Sequence, residues 1–245
     1  MFIFISKFKK HIMKKIVVTA LFSILALGVF SQNLDEIVKK HVDAIGGLEN
    51  WKKLTCLKME CMIKANGAEI KVVVSQIDKK AMRQDISVMG MNGYQITTNT
   101  EGWNFMPFQG QTKPEAMTAD DVKNSQDDLN IKDEFITYKE LGKKIELIGS
   151  DDMDGTECFK IKMTDKDGQE TTYFIDKTDY YTIKSVSKIK ADGKEMENVS
   201  TFGNYKKTPE GIVFAMSITS GFGPMEIIKL EVNPKLEDAI FKLPK

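Results

Sequence analysis

The spacing of apolar residues changes once along the chain, from a helical period to a strand period. Over 33–45 apolar residues recur every three or four positions, and two glycines, Gly46 and Gly47, follow. This pattern predicts one amphipathic helix, with a second short helix over 48–54. From Thr55 onward apolar and polar residues alternate, which predicts half-buried antiparallel strands, most clearly over 70–75, 159–163 and 212–218.

Turn dipeptides separate the predicted strands at short intervals. AsnGly begins at 66 and 92, and AspGly begins at 154, 167 and 192. Such turns join adjacent antiparallel strands. The spacing predicts about ten or eleven strands, too many for a flat open sheet. We therefore predict a mainly β (α+β) fold, a curled antiparallel sheet that forms an incomplete barrel.

One segment interrupts the strand pattern. Over 114–129 the sequence becomes polar, and Thr118 with Asp121 gives the start of a capping box. We predict a helical insert there. The N-terminal helix and this insert are expected to cover the concave face of the sheet, and an apolar cavity is expected between them and the sheet.

The first 31 residues predict export. Met13 to Ser31 has two lysines, an apolar stretch of twelve residues and small residues before a cleavage site at Gln32. The apolar stretch is too short to span a bilayer, and no cysteine follows the cut to carry a lipid. We expect a signal peptide over 1–31, with Met13 as the true start, and one domain over 32–245 without an integral membrane span.

Charge narrows the class of partner. All five basic residues before Gln32 would be removed with the signal peptide, which leaves 30 basic against 35 acidic residues. A net acidic chain argues against nucleic acid as a partner. Three cysteines remain, and the strand pattern puts Cys56 and Cys61 on opposite faces of one strand. Three free thiols are expected, with a bond between Cys56 and Cys158 as the alternative.

Catalytic motifs are not found in the sequence. His41 is the one histidine after the predicted cleavage site, and its lysine and aspartate neighbours predict a solvated position on the first helix. A lone histidine does not suit the usual hydrolase or zinc sites. The acidic run at 150–155 predicts a hairpin turn rather than a calcium loop, because Ile161 stands where a glutamate is needed. We expect no catalytic residue, no metal, no cofactor and no cluster of titratable groups in the cavity.

Two compositional features stand out. Arg83 is the only arginine of the chain, at a predicted strand start. The sequence allows two interpretations, a solvated charge at the end of a strand or a specific role. Methionines cluster around one hairpin, where Met89 and Met91 flank Gly90. Methionine suits irregular cores and equally suits surfaces that accept several apolar ligands. The tip of this hairpin is expected to be exposed.

The order of these segments resembles the outer-membrane lipoprotein carrier (LolA/LolB-like) superfamily. The resemblance rests on AlaIleGlyGly after the first helix, the segment around Arg83, ThrGluGlyTrpAsnPhe at 100–105, TyrPheIleAspLys at 173–177 and PheLysLeuPro at 241–244. It covers most of residues 34–244. It implies a half-barrel in which helices form a lid over an apolar cavity for lipoprotein acyl chains, and it implies that Arg83 helps to hold this lid closed. Met89 and Met91, and the segment 107–135, depart from the family pattern.

From the pattern and the resemblance together we expect a monomeric periplasmic binding or carrier protein, with secretion to the exterior as a further destination. Its partner would be a lipid acyl chain or a lipidated protein. The alternative is a non-lipid interaction module, an envelope sensor or accessory subunit that uses the same curved sheet. The residues expected to contact the ligand are Arg83, Ile86, Val88, Met89, Met91, Trp103, Phe105, Phe174 and Phe214.

Overall fold

The computed structural model describes residues 33–65, 67–191, 194–221 and 223–244. The chain divides into two compact units, Met1–Lys40 and His41–Lys245. Residues 33–40 of the first unit are helical, and this helix, α1, ends at residue 44. The helix predicted from the spacing of apolar residues is therefore confirmed. The signal peptide predicted over 1–31 lies outside the described residues.

Three further helices are short. They are α2 (Leu48–Lys52), α3 (Ala119–Asn124) and α4 (Glu134–Thr137). The capping box is confirmed, because the Thr118 and Asp121 side chains each bond the backbone N–H of the other residue. Asp133 caps α4 by accepting a hydrogen bond from the backbone N–H of Phe135 at 2.9 Å. Single 3-10 turns occur at Pro107–Gln109, Asp127–Leu129 and Asp238–Phe241.

Within the described part of the chain, thirteen strands form one antiparallel sheet. The prediction of ten or eleven was low because two strands, of four and two residues, are too short to show an alternating pattern. The strands are β1 (Cys56–Ala65), β2 (Ala68–Ile77), β3 (Ala81–Val88), β4 (Met91–Thr98), β5 (Gly102–Phe105), β6 (Glu115–Ala116), β7 (Lys144–Met153), β8 (Thr156–Thr164), β9 (Glu170–Asp176), β10 (Thr182–Ala191), β11 (Lys194–Lys207), β12 (Val213–Ser220) and β13 (Gly223–Val232).

The order of strands shows that the sheet is open at both ends. It runs β6-β5-β4-β3-β2-β1-β13-β12-β11-β10-β9-β8-β7, and the end strands β6 and β7 do not pair, so the barrel is incomplete as predicted. In a flat sheet these two edges would lie about 58 Å apart, at about 4.8 Å per strand. The chain makes this crossing in one segment, residues 117–143, which we call the insert. Curling of the sheet shortens this crossing.

The insert lies over one face of the sheet, which we call the inner face. Side chains of directly opposed residues in an antiparallel pair share a face, so Leu57, Gln76 and Met82 are all on the inner face. Gln76 Nε2 donates a 2.7 Å hydrogen bond to the backbone oxygen of Asp128 in the insert. The predicted helical cover is therefore confirmed. The opposite side of the sheet is called the outer face.

Two clusters of buried residues lie on the inner face. The first joins residues that follow α1, lie in or after α2, lie in β1 and the insert, or immediately precede β12: Ile45, Trp51, Leu54, Leu57, Ile131 and Ile212. The second joins neighbouring strands: Cys61, Val72 and Ile227, with Ile86 and Met59 packed against them. Burying these side chains supplies the main stabilisation of the fold.

The state of the cysteines and the turn between β7 and β8 agree with the predictions from the sequence. Cys56, Cys61 and Cys158 are free thiols, since β1 and β8 are not neighbours. Burial raises the pKa of Cys61 to about 11, so it stays protonated. Asp154 and Gly155, both with positive φ, form the hairpin turn between β7 and β8. Among the described residues, no helix is long and apolar enough to cross a membrane.

Candidate functional site

A cavity of about 380 Å³ lies between the inner face and the insert. We call it the inner cavity. Strands β1, β2 and β11–β13 form its floor, and residues around α1, α2 and the insert form its walls. Its lining is mainly apolar and includes Ile45, Trp51, Leu57, Met59, Ile131, Phe135, Phe202, Val213, Phe214, Ala215, Ile218 and Ile227. The cavity predicted from the alternating strands is therefore present.

Aromatic contacts fix the walls of the inner cavity. The Phe135 ring of the insert lies edge-on to His41 and Tyr173, with centroid distances of 5.0 and 5.2 Å. On the other side, Trp51 lies 5.2 Å from Phe214. Edge-to-face pairs of this kind add stabilisation beyond area burial. Phe135 therefore connects the insert to β9 near one edge of the sheet.

One salt bridge joins the insert to the sheet, and another forms within the insert. Lys132 Nζ lies 2.7 Å from Asp78 Oδ2 in the turn between β2 and β3, and both side chains are largely buried. Lys143 Nζ lies 2.9 Å from Glu134 Oε2. Partly buried pairs keep more of their Coulomb energy than solvated ones. Lys132 and Lys143 of the insert therefore have acidic partners within the protein.

His41 is buried in the wall of the inner cavity, and only 1% of its surface is exposed. Its Nδ1 lies 2.7 Å from the backbone oxygen of Tyr180, and its Nε2 lies 3.3 Å from Asp133 Oδ1. The prediction of a solvated histidine was wrong. The charged neighbours along the sequence suggested the surface, but His41 is four positions from both Ile37 and Ile45 and so lies on the apolar face of α1.

The partners of His41 favour its charged form. Both are acceptors, so the two hydrogen bonds need a proton on each ring nitrogen. Burial by itself lowers the pKa of His41, but the negative charge of Asp133 and the hydrogen bonds to Asp133 and Tyr180 outweigh burial, and the pKa is raised. An imidazolium between Asp133 and Tyr180 is the species that this geometry fits best.

The two tyrosines in the cavity stay neutral. Burial, followed by the nearby carboxylates Glu134 and Asp133, raises the pKa of Tyr173 well above its usual range. Burial and Asp133 also raise the pKa of Tyr205. The Tyr205 hydroxyl donates to the backbone oxygen of Thr182. These rings therefore add apolar surface with a neutral polar tip.

The arrangement does not assemble a nucleophile and a free base. Both nitrogens of His41 are engaged by the protein, and neither serine nor cysteine is among the residues that line the inner cavity. Among the described residues, no group of histidine, cysteine and acidic side chains could hold a metal ion. The expectation of a cavity without titratable groups was wrong, because His41, Lys132, Asp133 and Glu134 all line it.

A second cavity, of about 300 Å³, lies on the outer face of β3–β5. We call it the outer cavity. Its lining is more polar and comprises Arg83, Asp85, Ile86, Ser87, Asn92, Gly93, Tyr94 and Phe105. The register places Arg83 opposite Ser75 and Ile96, which puts its side chain on the outer face.

Arg83 holds the C-terminal turn. Its Nη2 lies 2.6 Å from Asp85 Oδ1, and its Nη1 donates a 2.9 Å hydrogen bond to the backbone oxygen of Ile240. The guanidinium also lies 5.1 Å from the centroid of the Tyr94 ring. Arg83 is therefore not a solvated strand-end charge. It contacts the 3-10 turn Asp238–Phe241 on the outer face, and the expected contact with the covering helices on the inner face is not made.

The nine predicted ligand contacts fall in four places. Phe214 lines the inner cavity, and Ile86 packs in the adjacent inner-face cluster and also lines the outer cavity. Arg83 and Phe105 line the outer cavity, and Trp103 shares their face because it pairs with Ile96. Phe174 lies on the face opposite Tyr173, where Lys160 and Lys184 contact its ring. Val88, Met89 and Met91 form the end of the β3–β4 hairpin, and Met89 is 84% exposed.

Several residues of the inner cavity were missed by the sequence analysis. Asp133, Phe135 and Tyr173 come from the insert and β9, which the chain brings together only through the long crossing. The one local signal was Asp133 followed by GluPheIle, a helix start with an apolar face. That signal predicts α4 but not what α4 covers.

Comparison with known proteins shows similarity in fold. No protein-family model and no curated protein matches the chain. A DUF1329 family protein from Desulfovibrio piger is 14% identical, with a TM-score of 0.53, over 84% of this chain and 97% of that one. A LolA superfamily protein from Nitrosomonas europaea is 13% identical, with a TM-score of 0.54, over 84% and 96%. An outer membrane lipoprotein-sorting protein domain from Vibrio parahaemolyticus is 14% identical, with a TM-score of 0.50, over 84% and 94%.

Proposed function

The chain has a LolA-like fold, and on this basis we propose that it is a carrier that holds an apolar ligand in the inner cavity and acts without catalysis. The observation that carries the proposal is the inner cavity itself, about 380 Å³ of largely apolar space between the sheet and the insert. Of the predicted contacts, Phe214 is proposed to touch the ligand directly.

The proposed ligand is an acyl chain, free or attached to a lipid or lipidated protein. Each methylene that moves from water into the cavity contributes about 0.8 kcal/mol. Ligand cavities commonly measure about 300–1,000 Å³. The inner cavity is near the small end of that range, which suits part of one chain better than several chains together. One of the similar structures is a lipoprotein-sorting domain, which supports this class of ligand.

The proposed setting is the periplasm, reached through the signal peptide expected over 1–31. A net acidic chain does not favour nucleic acid as a partner. We propose that the protein acts as a monomer.

Filling the inner cavity tests this proposal. Ala215 lines the cavity, so Ala215→Trp should lower the affinity for a fluorescent fatty acid at least tenfold, measured by titration and by displacement with dodecanoic acid. Ile228→Trp is the matched control, because Ile228 is on the neighbouring strand β13 and is 57% exposed. The control should bind like the wild type. Equal affinity of all three proteins, or no binding by the wild type, would overturn the proposal.

A further inference from the structure

The inner face changes character along one line of paired residues. Met59, Val74, Gln84, Gln95 and Asn104 lie directly opposite one another on the consecutive strands β1 to β5. Because opposed residues share a face, all five side chains lie on the inner face. Met59 lines the inner cavity. The line is therefore apolar beside the cavity and carries three carboxamides beyond it, which we call the amide row.

The carboxamides of the amide row have unused hydrogen-bonding capacity. Asn104 Oδ1 is buried and has no hydrogen-bond partner. Gln84 makes one weak contact, from Nε2 to Met82 Sδ at 3.5 Å. Gln95 has no side-chain hydrogen bond within the part of the chain that the structure describes. A buried acceptor without a partner costs about 1–3 kcal/mol, so the site favours a group that donates to it.

Neighbouring residues bound the amide row on both sides. On the side of Gly102, a methyl group added to this glycine would lie 2.3 Å from Met117 Sδ, so the insert covers that position. On the side of Gly93, an added methyl would lie 2.9 Å from Phe108 Cε1. Met117 and Phe108 therefore cover the rows on either side of the amide row, and all three amide residues keep part of their surface exposed.

The chemistry of the row selects a neutral polar group. A carboxamide both donates and accepts, and it carries no charge. Arg83 points to the outer face, so it supplies no cation to the row. Glu115, opposite Asn104 at the sheet edge, is the one charged residue on this line, and it bonds Gln111 Nε2 at 2.9 Å. A phosphate or carboxylate would have no cationic partner on this line. An amide or hydroxyl group would have three carboxamides as hydrogen-bond partners.

We propose that the amide row binds the neutral, hydrogen-bond-donating head group of an amphiphile whose acyl chain occupies the inner cavity. This inference rests on the proposed carrier function. Two strand spacings of about 4.8 Å separate Met59 from Gln84, so the first amide lies about 10 Å from Met59 in the floor of the inner cavity. The head group is an amide, as in an acylated peptide, or a hydroxyl, as in an acylglycerol. Both sources share the same chemistry.

Four probes with the same twelve-carbon chain test the inference. They are N-dodecanoylglycinamide, 1-dodecanoylglycerol, methyl dodecanoate and dodecanoate, and each competes with a bound fluorescent fatty acid. Two added hydrogen bonds predict that the wild type binds the glycinamide, the glycerol ester or both about tenfold more tightly than the methyl ester. Preference for the glycinamide alone assigns an acylated peptide, and preference for the glycerol ester alone assigns an acylglycerol.

Variants of the amide row test whether it causes the preference for the glycinamide or the glycerol ester. Gln95→Met and Asn104→Leu keep the side-chain size and remove the amide, so each should lose the preference and keep the wild-type affinity for methyl dodecanoate. Asn92→Leu is the matched control, because it removes an exposed amide from the outer face of the same strand, opposite Ser87. It should keep the preference. Asn104→Leu should also be at least as stable to urea as the wild type, since it removes a buried acceptor without a partner.

The outcomes separate this inference from the function on which it rests. Equal binding of all four probes by the wild type would overturn the head-group site and leave the carrier proposal standing. Tightest binding of dodecanoate would also overturn it, because the row is neutral. If no probe binds, the carrier proposal fails and the head-group site fails with it.

Discussion

The inner and outer cavities lie on opposite faces of the sheet and are built in different ways. The inner cavity is apolar and depends on the insert, which crosses from one sheet edge to the other and brings Asp133 and Phe135 against His41. The outer cavity is more polar and is made mostly by the β3–β4 hairpin with Phe105. The outer cavity comes from one hairpin, which has the clearer local pattern in the sequence. The space for an apolar ligand is in the inner cavity, which forms only when distant segments meet.

The largest expected effect separates the two cavities by stability. Phe135 is buried and contacts both His41 and Tyr173, so Phe135→Ala should lower the free energy of unfolding by about 3–5 kcal/mol. Phe105→Ala is the matched change on the outer face, where the ring is partly exposed, and should cost about 1–2 kcal/mol. Urea unfolding measures both. A larger loss at Phe105 would reverse the assignment of the inner cavity as the better-packed region.

The next effect concerns the fastening of the C-terminal turn. Arg83→Leu removes the hydrogen bond to the Ile240 oxygen and the fork to Asp85, and should cost about 1–3 kcal/mol. Trypsin should then cleave faster at the exposed Lys242, as followed by mass spectrometry. Arg83→Lys keeps the charge but loses the planar fork, so its stability and its rate of cleavage at Lys242 should lie between those of the wild type and Arg83→Leu.

Release of a fatty-acid probe from the inner cavity is the control for Arg83. The release rate should be the same in wild type, Arg83→Lys and Arg83→Leu, because this side chain lies on the outer face. A faster release from Arg83→Leu, with the C-terminal turn still protected from trypsin, would mean that the outer face controls the inner cavity.

A smaller effect is the pH dependence that His41 gives to the inner region. Its pKa is raised in the folded protein above the ordinary value of 6.5, so its bonds to Asp133 and Tyr180 stabilise the fold fully below that value. This contribution is lost as the pH rises through the folded pKa. The free energy of unfolding of the wild type minus that of His41→Gln should therefore fall with rising pH.

The control for this measurement is a variant away from the charged and titratable groups that face His41. Asp133 and Tyr180 bond it, and Glu134 and Tyr173 line the same cavity. Arg83 lies on the outer face and bonds none of these groups, so the difference between wild type and Arg83→Leu should stay level across the same pH series. A difference between wild type and His41→Gln that is level or rises would show that His41 is not held as an imidazolium.

The smallest expected effect is at the hairpin end. Met89 is 84% exposed, so Met89→Ser should change the free energy of unfolding by no more than about 0.5 kcal/mol. The affinity for the fatty-acid probe should also stay the same, because Met89 does not line the inner cavity. A clear loss of affinity would make this hairpin part of the ligand site and weaken the contrast between the cavities.

How far the sequence predicts this molecule depends on the range of each interaction. The helix over 33–44, the cap at Thr118 and the alternating strands are local and could be read from the spacing of residues. His41 could not be placed by its immediate neighbours, because its partners Asp133 and Tyr180 are 92 and 139 residues away. Arg83 stood out by composition, yet its main-chain partner Ile240 is 157 residues away. Local pattern thus predicts elements, whereas the closure of each cavity depends on the order of strands.

The two tryptophans of the chain offer the most direct test of the central claim, that an apolar ligand occupies the inner cavity. Trp51 lines the inner cavity, and Trp103 lies on the outer face beside Ile96 and Arg83. A brominated fatty acid quenches indole fluorescence only at short range. The measurement uses Trp103→Phe, which leaves Trp51 as the reporter, and Trp51→Phe, which leaves Trp103. The account predicts saturable quenching of Trp51 and none of Trp103, and quenching of Trp103 alone would contradict it.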